Sequence, residues 1–193
     1  GKAAGKVVHV DRKLSNDTTS VVPSYQLEAY LDSLPDDAPI SVMHCFCRNI
    51  RRREGMQPKH PTPDEVCLCV GNMAKQIIEF GIGRQVSKAE ARQILVDCEK
   101  KGCVHQVFHY ACNMDEETTA ICNCCGCSCF ALRIAELFRT PRAIRSNYIA
   151  RVDKEKCVAC GQCVENCQTN ALKLGQKRCT TDPHISDTYD TDR

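Results

Sequence analysis

Apolar residues recur at helical spacing from Ser24 onward: Tyr25, Leu27, Tyr30, Leu31 and Leu34 predict a short amphipathic helix, and Pro35 ends the pattern. Ile40 to Met43 then form a short apolar run that leads into Cys45-Phe46-Cys47, predicting a buried strand or extended segment. Asn72 to Phe80 read as a helix with Met73, Ile77 and Ile78 on its apolar side, followed by Gly81 and Gly83. Ser87 and Glu90 stand at capping-box spacing before a helix whose Ala91, Ile94, Leu95 and Cys98 line one face until Gly102 stops it. Val104, Val107 and Phe108 predict a strand, and Ala131 to Phe138 a further helix. Between these, Arg48 to Pro63 carries Gly55 and three prolines and reads as an exposed loop.

The two ends differ from the middle. The first twenty residues are polar except Val7, Val8 and Val10, which suggest one short strand in an N-terminal arm spanning 1–23. A cysteine-rich, mainly helical domain over 24–140 follows, with Thr140-Pro141-Arg142 as its linker. In 141–180, Tyr148, Ile149 and Val152 predict a strand, a cysteine loop and short helix follow, and Ala171, Leu172 and Leu174 predict a second strand. This is a βαβ-like module of about 35 residues, a size that needs a metal to fold. Residues 181–193 are a polar tail. The expected fold class is α+β.

Charge removes one class of partner. Lys and Arg total 26 against 24 Asp and Glu, a net +2, so no global field favours nucleic acid or an anionic membrane. The helix, glycine and strand around Gly102 resemble part of a winged helix, yet there is no basic recognition face. No apolar run nears the roughly 18 residues of a membrane span and no export signal precedes the chain, so membrane insertion is not expected and a cytoplasmic location is. Gly81-Ile82-Gly83 lacks the third glycine and preceding strand of a dinucleotide loop.

Cysteine changes the picture most. The chain has 17 cysteines in 193 residues, no Trp, five Phe and five Tyr. A secreted disulfide scaffold and a metal or cluster protein both reach such density. The odd count, the missing export signal and the adjacent Cys124-Cys125 inside Cys122–Cys129 argue against disulfides. Several thiolates can instead converge on one inorganic core.

Cys157, Cys160, Cys163 and Cys167 follow the C-x2-C-x2-C-x3-C spacing of bacterial-type ferredoxins. Three thiolates spaced two residues apart on a curled loop reach three irons, and Gly161 allows the tight backbone. Gln168 stands where a proline usually follows. Cys167 can close its own cluster, Cys179 can replace it, or Cys167 can reach toward the preceding domain.

The second constellation is Cys122, Cys124, Cys125, Cys127 and Cys129, with Cys45 and Cys47 before Arg48, and Cys67 with Cys69. On a straight extended segment Cys125, Cys127 and Cys129 would share one side and Cys122 and Cys124 the other, unless a turn at Gly126 rearranges them. With Cys45, Cys47 and Cys67 there are eight candidate ligands, the number two four-iron clusters need. Cys98, Cys103 and Cys112 fit small hydrophobes, and His105 and His109 fit hydrogen-bonded histidines better than ligands. Arg48 and Arg51 to Arg53 fit a solvated loop, although an Arg48 beside a cluster would stabilise its reduced form.

The succession Cys45-x-Cys47-Arg48, Val66-Cys67-Leu68, Gly81 to Ala91, Val104-His105 and Ile121-Cys-Asn-Cys-Cys-Gly-Cys127 resembles a family of 4Fe-4S ferredoxin-type proteins of anaerobes. In that family a cysteine-rich domain precedes ferredoxin modules. The resemblance spans roughly residues 40 to 175, with Ser128 in place of a frequent cysteine and no second ferredoxin run after Cys179. It implies electron transfer through two or three 4Fe-4S clusters, as a carrier or as a wiring subunit with redox protein partners, and no catalytic residue. An iron-sulfur enzyme with a substrate-accessible cluster and a zinc-binding interaction module are the alternatives.

Overall fold

The computed structural model describes residues 5–9, 19–56, 62–109, 118–138, 145–146, 148–168 and 172. In chain order the elements are β1 (Gly5–His9), β2 (Thr19–Val21), α1 (Ser24–Ser33), β3 (Ile40–His44), α2 (Phe46–Arg53), β4 (Glu65–Val70), α3 (Gly71–Glu79), β5 (Gly83–Gln85), α4 (Lys88–Lys100), β6 (Val104–His109), β7 (Thr118–Cys124), α5 (Phe130–Leu137), β8 (Arg145–Ser146), β9 (Tyr148–Val152) and α6 (Gln162–Glu165). The fold is α+β, with the helices arranged on a seven-stranded sheet in the order β5-β3-β4-β7-β6-β2-β8. Its pairs are antiparallel except β2 with β8.

Register explains why this sheet has two chemically different faces. Val42 pairs with Leu68, Leu68 with Ile121, and Ile121 with Val107, so one cross-strand row is wholly aliphatic. That row packs with Leu27 and Leu31 of α1 and Ala91 and Leu95 of α4 in the main core. The side-chain period of two sends the next residues to the other face. There Met43 pairs with Cys67, Cys69 with Ala120, and Cys122 with Gln106. Part of this face is covered by α3, where Cys69 packs with Ala74 and Ile77.

Most elements arise where the hydrophobic pattern places them. The capping box at α4 is formed, with Ser87 Oγ accepting from the Glu90 N–H at 3.1 Å. At the other end the Gly102 N–H donates to Glu99 O at 2.8 Å and the Cys103 N–H to Cys98 O at 3.0 Å, with Gly102 at φ +71°. This is a Schellman termination with glycine at the left-handed position. Three findings depart from the pattern. Phe46 to Arg53 form a helix, whereas the sequence suggested an extended segment and a loop: straight-chain arginines favour helix, and Arg51, Arg52 and Arg53 sit in its last turn, against the negative end of the dipole. Val66 to Val70 belong to a central strand. The first part of the cysteine run, through Cys124, is also strand.

In the C-terminal part, β9 pairs antiparallel with β1, so the strand at Val7 and Val8 belongs to a two-stranded sheet with the segment that precedes the ferredoxin-like run. The linker at 140–142, the strand at 171–174, the tail at 181–193, and Cys112 and Cys179 lie outside the described residues, apart from residue 172.

Candidate metal centre

Four strand ends meet at one end of the sheet. β3 delivers Cys45, β4 begins at Glu65, β6 begins at Val104 and β7 ends at Cys124. Cys45 is also the N-cap of α2, and Cys129 the N-cap of α5. Between these elements lies a cavity of about 770 Å³ whose lining includes Cys45, Cys47, Cys67, Cys122, Cys124, Cys125 and Cys129. The structure thus gathers seven of the eight N-terminal candidates at one site. Cys127 stands beside it, its Sγ 3.2 Å from that of Cys125. Cys69 does not line it; burial, with the neighbouring Cys122, pushes its thiol up to about 11. Of the two arrangements the sequence leaves open, the structure takes the turned one: residues 126–128 form a turn that returns Cys129 to Cys124.

Six of these sulfurs form a closed ring of side-chain contacts: Cys45 to Cys47, Cys47 to Cys129, Cys129 to Cys124, Cys124 to Cys122, Cys122 to Cys67, and Cys67 back to Cys45. Cys122 is held well below the usual thiol range by hydrogen bonds from Cys124 and Cys67. Cys129 is pulled down to about 4 by Cys124 and Cys47, helped by the Leu132 and Ala131 amides at the start of α5. The donors Cys67 and Cys124 are pushed up by the same contacts and by burial. Without a cation, six thiols this close cannot all lose their protons. An iron core would replace the protons with positive charge, so the donor set suits such a group. Among the described residues no three His, Cys, Asp or Glu side chains converge as ligands of a single metal ion.

Arg48 is the chief correction to the sequence reading. It is only 2% exposed rather than solvated. One guanidinium nitrogen donates to Pro63 O, and Nη2 donates to Asn123 O at 3.1 Å and lies 3.9 Å from Cys103 Sγ. Burial opposes its charge, but the sulfurs of Cys45, Cys125 and Cys103 outweigh burial and hold the guanidinium protonated more firmly than usual. Its Nε is buried with no hydrogen-bond partner. Around it, buried polar groups orient the strands: Asn123 Nδ2 donates to Val66 O at 2.7 Å, and Asn123 Oδ1 meets His105 Nδ1 at 2.6 Å. Gln106 Nε2 donates toward Cys129 Sγ at 3.7 Å. His105 is therefore a hydrogen-bonded histidine, as expected from the sequence.

The second cysteine group is the loop Cys157 to Cys167. Ala159 at φ +55° and Gly161 at φ +81° flank Cys160 in left-handed conformations. Such alternation turns successive backbone N–H groups inward, as a negatively charged cluster requires. Cys157, Cys160 and Cys163 are exposed and Cys167 half-buried. The loop docks on the first site through two glycines. Gly126 packs directly against the Gln168 carbonyl oxygen, and its N–H donates to Gln168 Oε1 at 3.1 Å. A Cβ on Gly102 would lie 3.1 Å from Asn166 O. Gln168 replaces the usual proline, and its amide side chain holds the cysteine turn; only its departure from the expected residue could have signalled this.

Among known families, residues 150–173 match the 4Fe-4S binding domain. No curated protein and no solved structure matches the chain. Among the described residues no helix is long and apolar enough to cross a membrane.

Proposed function

With a 4Fe-4S binding domain and its electron-transfer chemistry as the premise, we propose that the chain passes single electrons between two iron-sulfur sites, one held by Cys157, Cys160, Cys163 and Cys167 and the other by the cysteine ring. The observation that carries this reading is the direct packing of Gly126, inside the cysteine run, against Gln168, next to Cys167. Cys167 then closes its own site. When bound, a 4Fe-4S group supplies one-electron exchange at a potential between about −700 and +450 mV, set by charge, hydrogen bonding and exposure.

The chain's own residues supply those settings. Arg48 puts a fixed positive charge beside Cys45 and Cys125, favouring the more negative, reduced state. Gln106 and the amides opening α5 donate to Cys129, which favours the same state. Gln168 and the two glycines keep the sites in contact. The partners are redox proteins or subunits of a larger complex, in an anaerobic and cytoplasmic setting. A single continuous ring favours two clusters in all over three.

One observation favours a second reading, an iron-sulfur enzyme. Seven cysteines exceed the four corners of a cubane, and the cavity mouth is rimmed by Phe46 and Phe130, which are 68% and 67% exposed. Anaerobic purification with iron, sulfide and zinc analysis, a visible spectrum and paramagnetic resonance decides between the readings. Interacting signals from two clusters support the electron-transfer reading. A cavity signal that shifts with added cyanide supports the enzyme, and a colourless protein with stoichiometric zinc overturns both.

A further inference from the structure

Cys98 and Cys103 are placed together by the turn that ends α4. Cys98 is three positions before the C-cap Lys101 and Cys103 two after it, joined by the 3.0 Å bond from the Cys103 N–H to Cys98 O. With that bond made, standard backbone lengths hold the two Cα atoms within about 7 Å, inside the reach of a disulfide. The two side chains pack in one buried cluster, Cys98 completely enclosed. An apolar contact commonly closes this kind of turn, and any two hydrophobic residues would serve. What an apolar closure does not need is the guanidinium of Arg48 at 3.9 Å from Cys103 Sγ.

The surroundings of the pair give it a place in the molecule. On one side, Gly102 packs against Asn166, the neighbour of Cys167. On the other, Arg48 runs from Cys103 to Asn123 O and to the sulfurs of Cys45 and Cys125. The dithiol therefore stands between the two cysteine sites and touches the elements that carry each.

From this geometry we propose that Cys98 and Cys103 form a reversible dithiol/disulfide couple that exchanges two electrons with the flanking iron-sulfur sites. On oxidation the two S–H bonds break, one Sγ–Sγ bond forms, two protons go to solvent, and two electrons leave one at a time, one to each site. Reduction is the reverse, with two electrons delivered and two protons taken up. The couple lets a one-electron wire hold an electron pair. The electron exchange rests on the proposed function; the pairing of the thiols does not.

The test uses the full chain, purified anaerobically and brought to its oxidised or reduced state with thionine, a two-electron dye, or with dithionite. Each sample is quenched with an alkylating agent and digested with trypsin without reduction. Lys100 and Lys101 lie between the two cysteines, so trypsin separates them unless a disulfide joins the fragments, and fragmentation of the linked pair distinguishes Cys103 from the other cysteines of the 102–133 peptide. The two peptides should stay linked in the thionine sample and separate in the dithionite sample, with iron content unchanged. Cys98→Ser should lose the linkage and the corresponding two-electron step of a redox titration while keeping its iron. Separate, fully alkylated peptides in every wild-type sample would overturn the proposal. So would cysteines shielded from alkylation until iron is removed, which would make them ligands. Iron analysis reports on the cluster reading by itself: a zinc protein whose peptides still link would fail that reading and keep the couple.

Discussion

Replacing Gly126 with alanine should separate the two cysteine sites without touching a single sulfur. A Cβ there would overlap the Gln168 carbonyl oxygen and stand 2.8 Å from its carbon, where carbon contacts settle at about 3.5–4.0 Å. The strand turn and the ferredoxin loop must then part by about 1.5 Å or more. Overpacking of this kind costs about 1–3 kcal/mol. The hydrogen bond from the residue 126 N–H to Gln168 Oε1 adds about 1 kcal/mol if it is lost. A docking equilibrium weakened by about 2–4 kcal/mol opens roughly 30- to 700-fold more often. Hydrogen exchange of the backbone at 102 and 166–168 reads that opening, and paramagnetic resonance of the reduced protein reads the weakened magnetic interaction. Gly81→Ala is the control: φ is +64° and nothing lies within 4 Å, so it strains only its own turn. If Gly126→Ala leaves exchange at 166–168 as slow as in the native protein, the docking argument is wrong.

Four other outcomes follow from the same structure. Cys47→Ala removes one member of the sulfur ring and should lose iron from the cavity while the ferredoxin-type signal persists; unchanged iron would make Cys45 and Cys47 structural thiols. Arg48→Gln takes away a buried charge and weakens its bonds to Pro63 and Asn123, so the cavity site should titrate at a lower potential while the ferredoxin-type site stays put; an unmoved or raised potential contradicts the role. His105 is kept neutral by burial, its pKa lowered below 6.5, so the unfolded chain binds the extra proton. Stability should therefore fall as pH drops below about 6.5, and His105→Gln should flatten that part of a denaturation profile, whereas an identical slope would refute it. Iron chelation should unfold the segment around Cys157–Cys167, whose core is too small to order alone, and retained protection of those amides would count against this.

The readable parts of this protein were those governed by local rules. Ser87 and Glu90 announce α4 because a cap is a three-residue event, and the run Cys157 to Cys167 announces a 4Fe-4S binding segment because its cysteines are neighbours in sequence. The cavity follows a different logic. Cys67 faces it because of the register of β4 against β3, and Cys122 because β7 continues through the cysteines, and neither pairing leaves a local trace. The burial of Arg48 is hidden for the same reason. Its arginine-rich, proline-flanked stretch looks solvated until α2 turns that one residue inward against carbonyls supplied by Pro63 and Asn123. Cys98 and Cys103 each fit a small hydrophobe in the sequence, and their turn uses them so; that they meet, and the guanidinium beside them, come from the folded chain alone.

The account stands on the claim that the cysteine ring holds iron independently of the ferredoxin-type loop. The most direct measurement is the iron, sulfide and visible absorption of the anaerobically purified Cys160→Ser, Cys163→Ser double variant. About half of the native iron and a sulfur-to-iron charge-transfer band should remain, carried by the cavity. Complete loss of iron from a variant whose cysteine-rich part is still folded would contradict the claim and leave the ring as a cluster of metal-free cysteines.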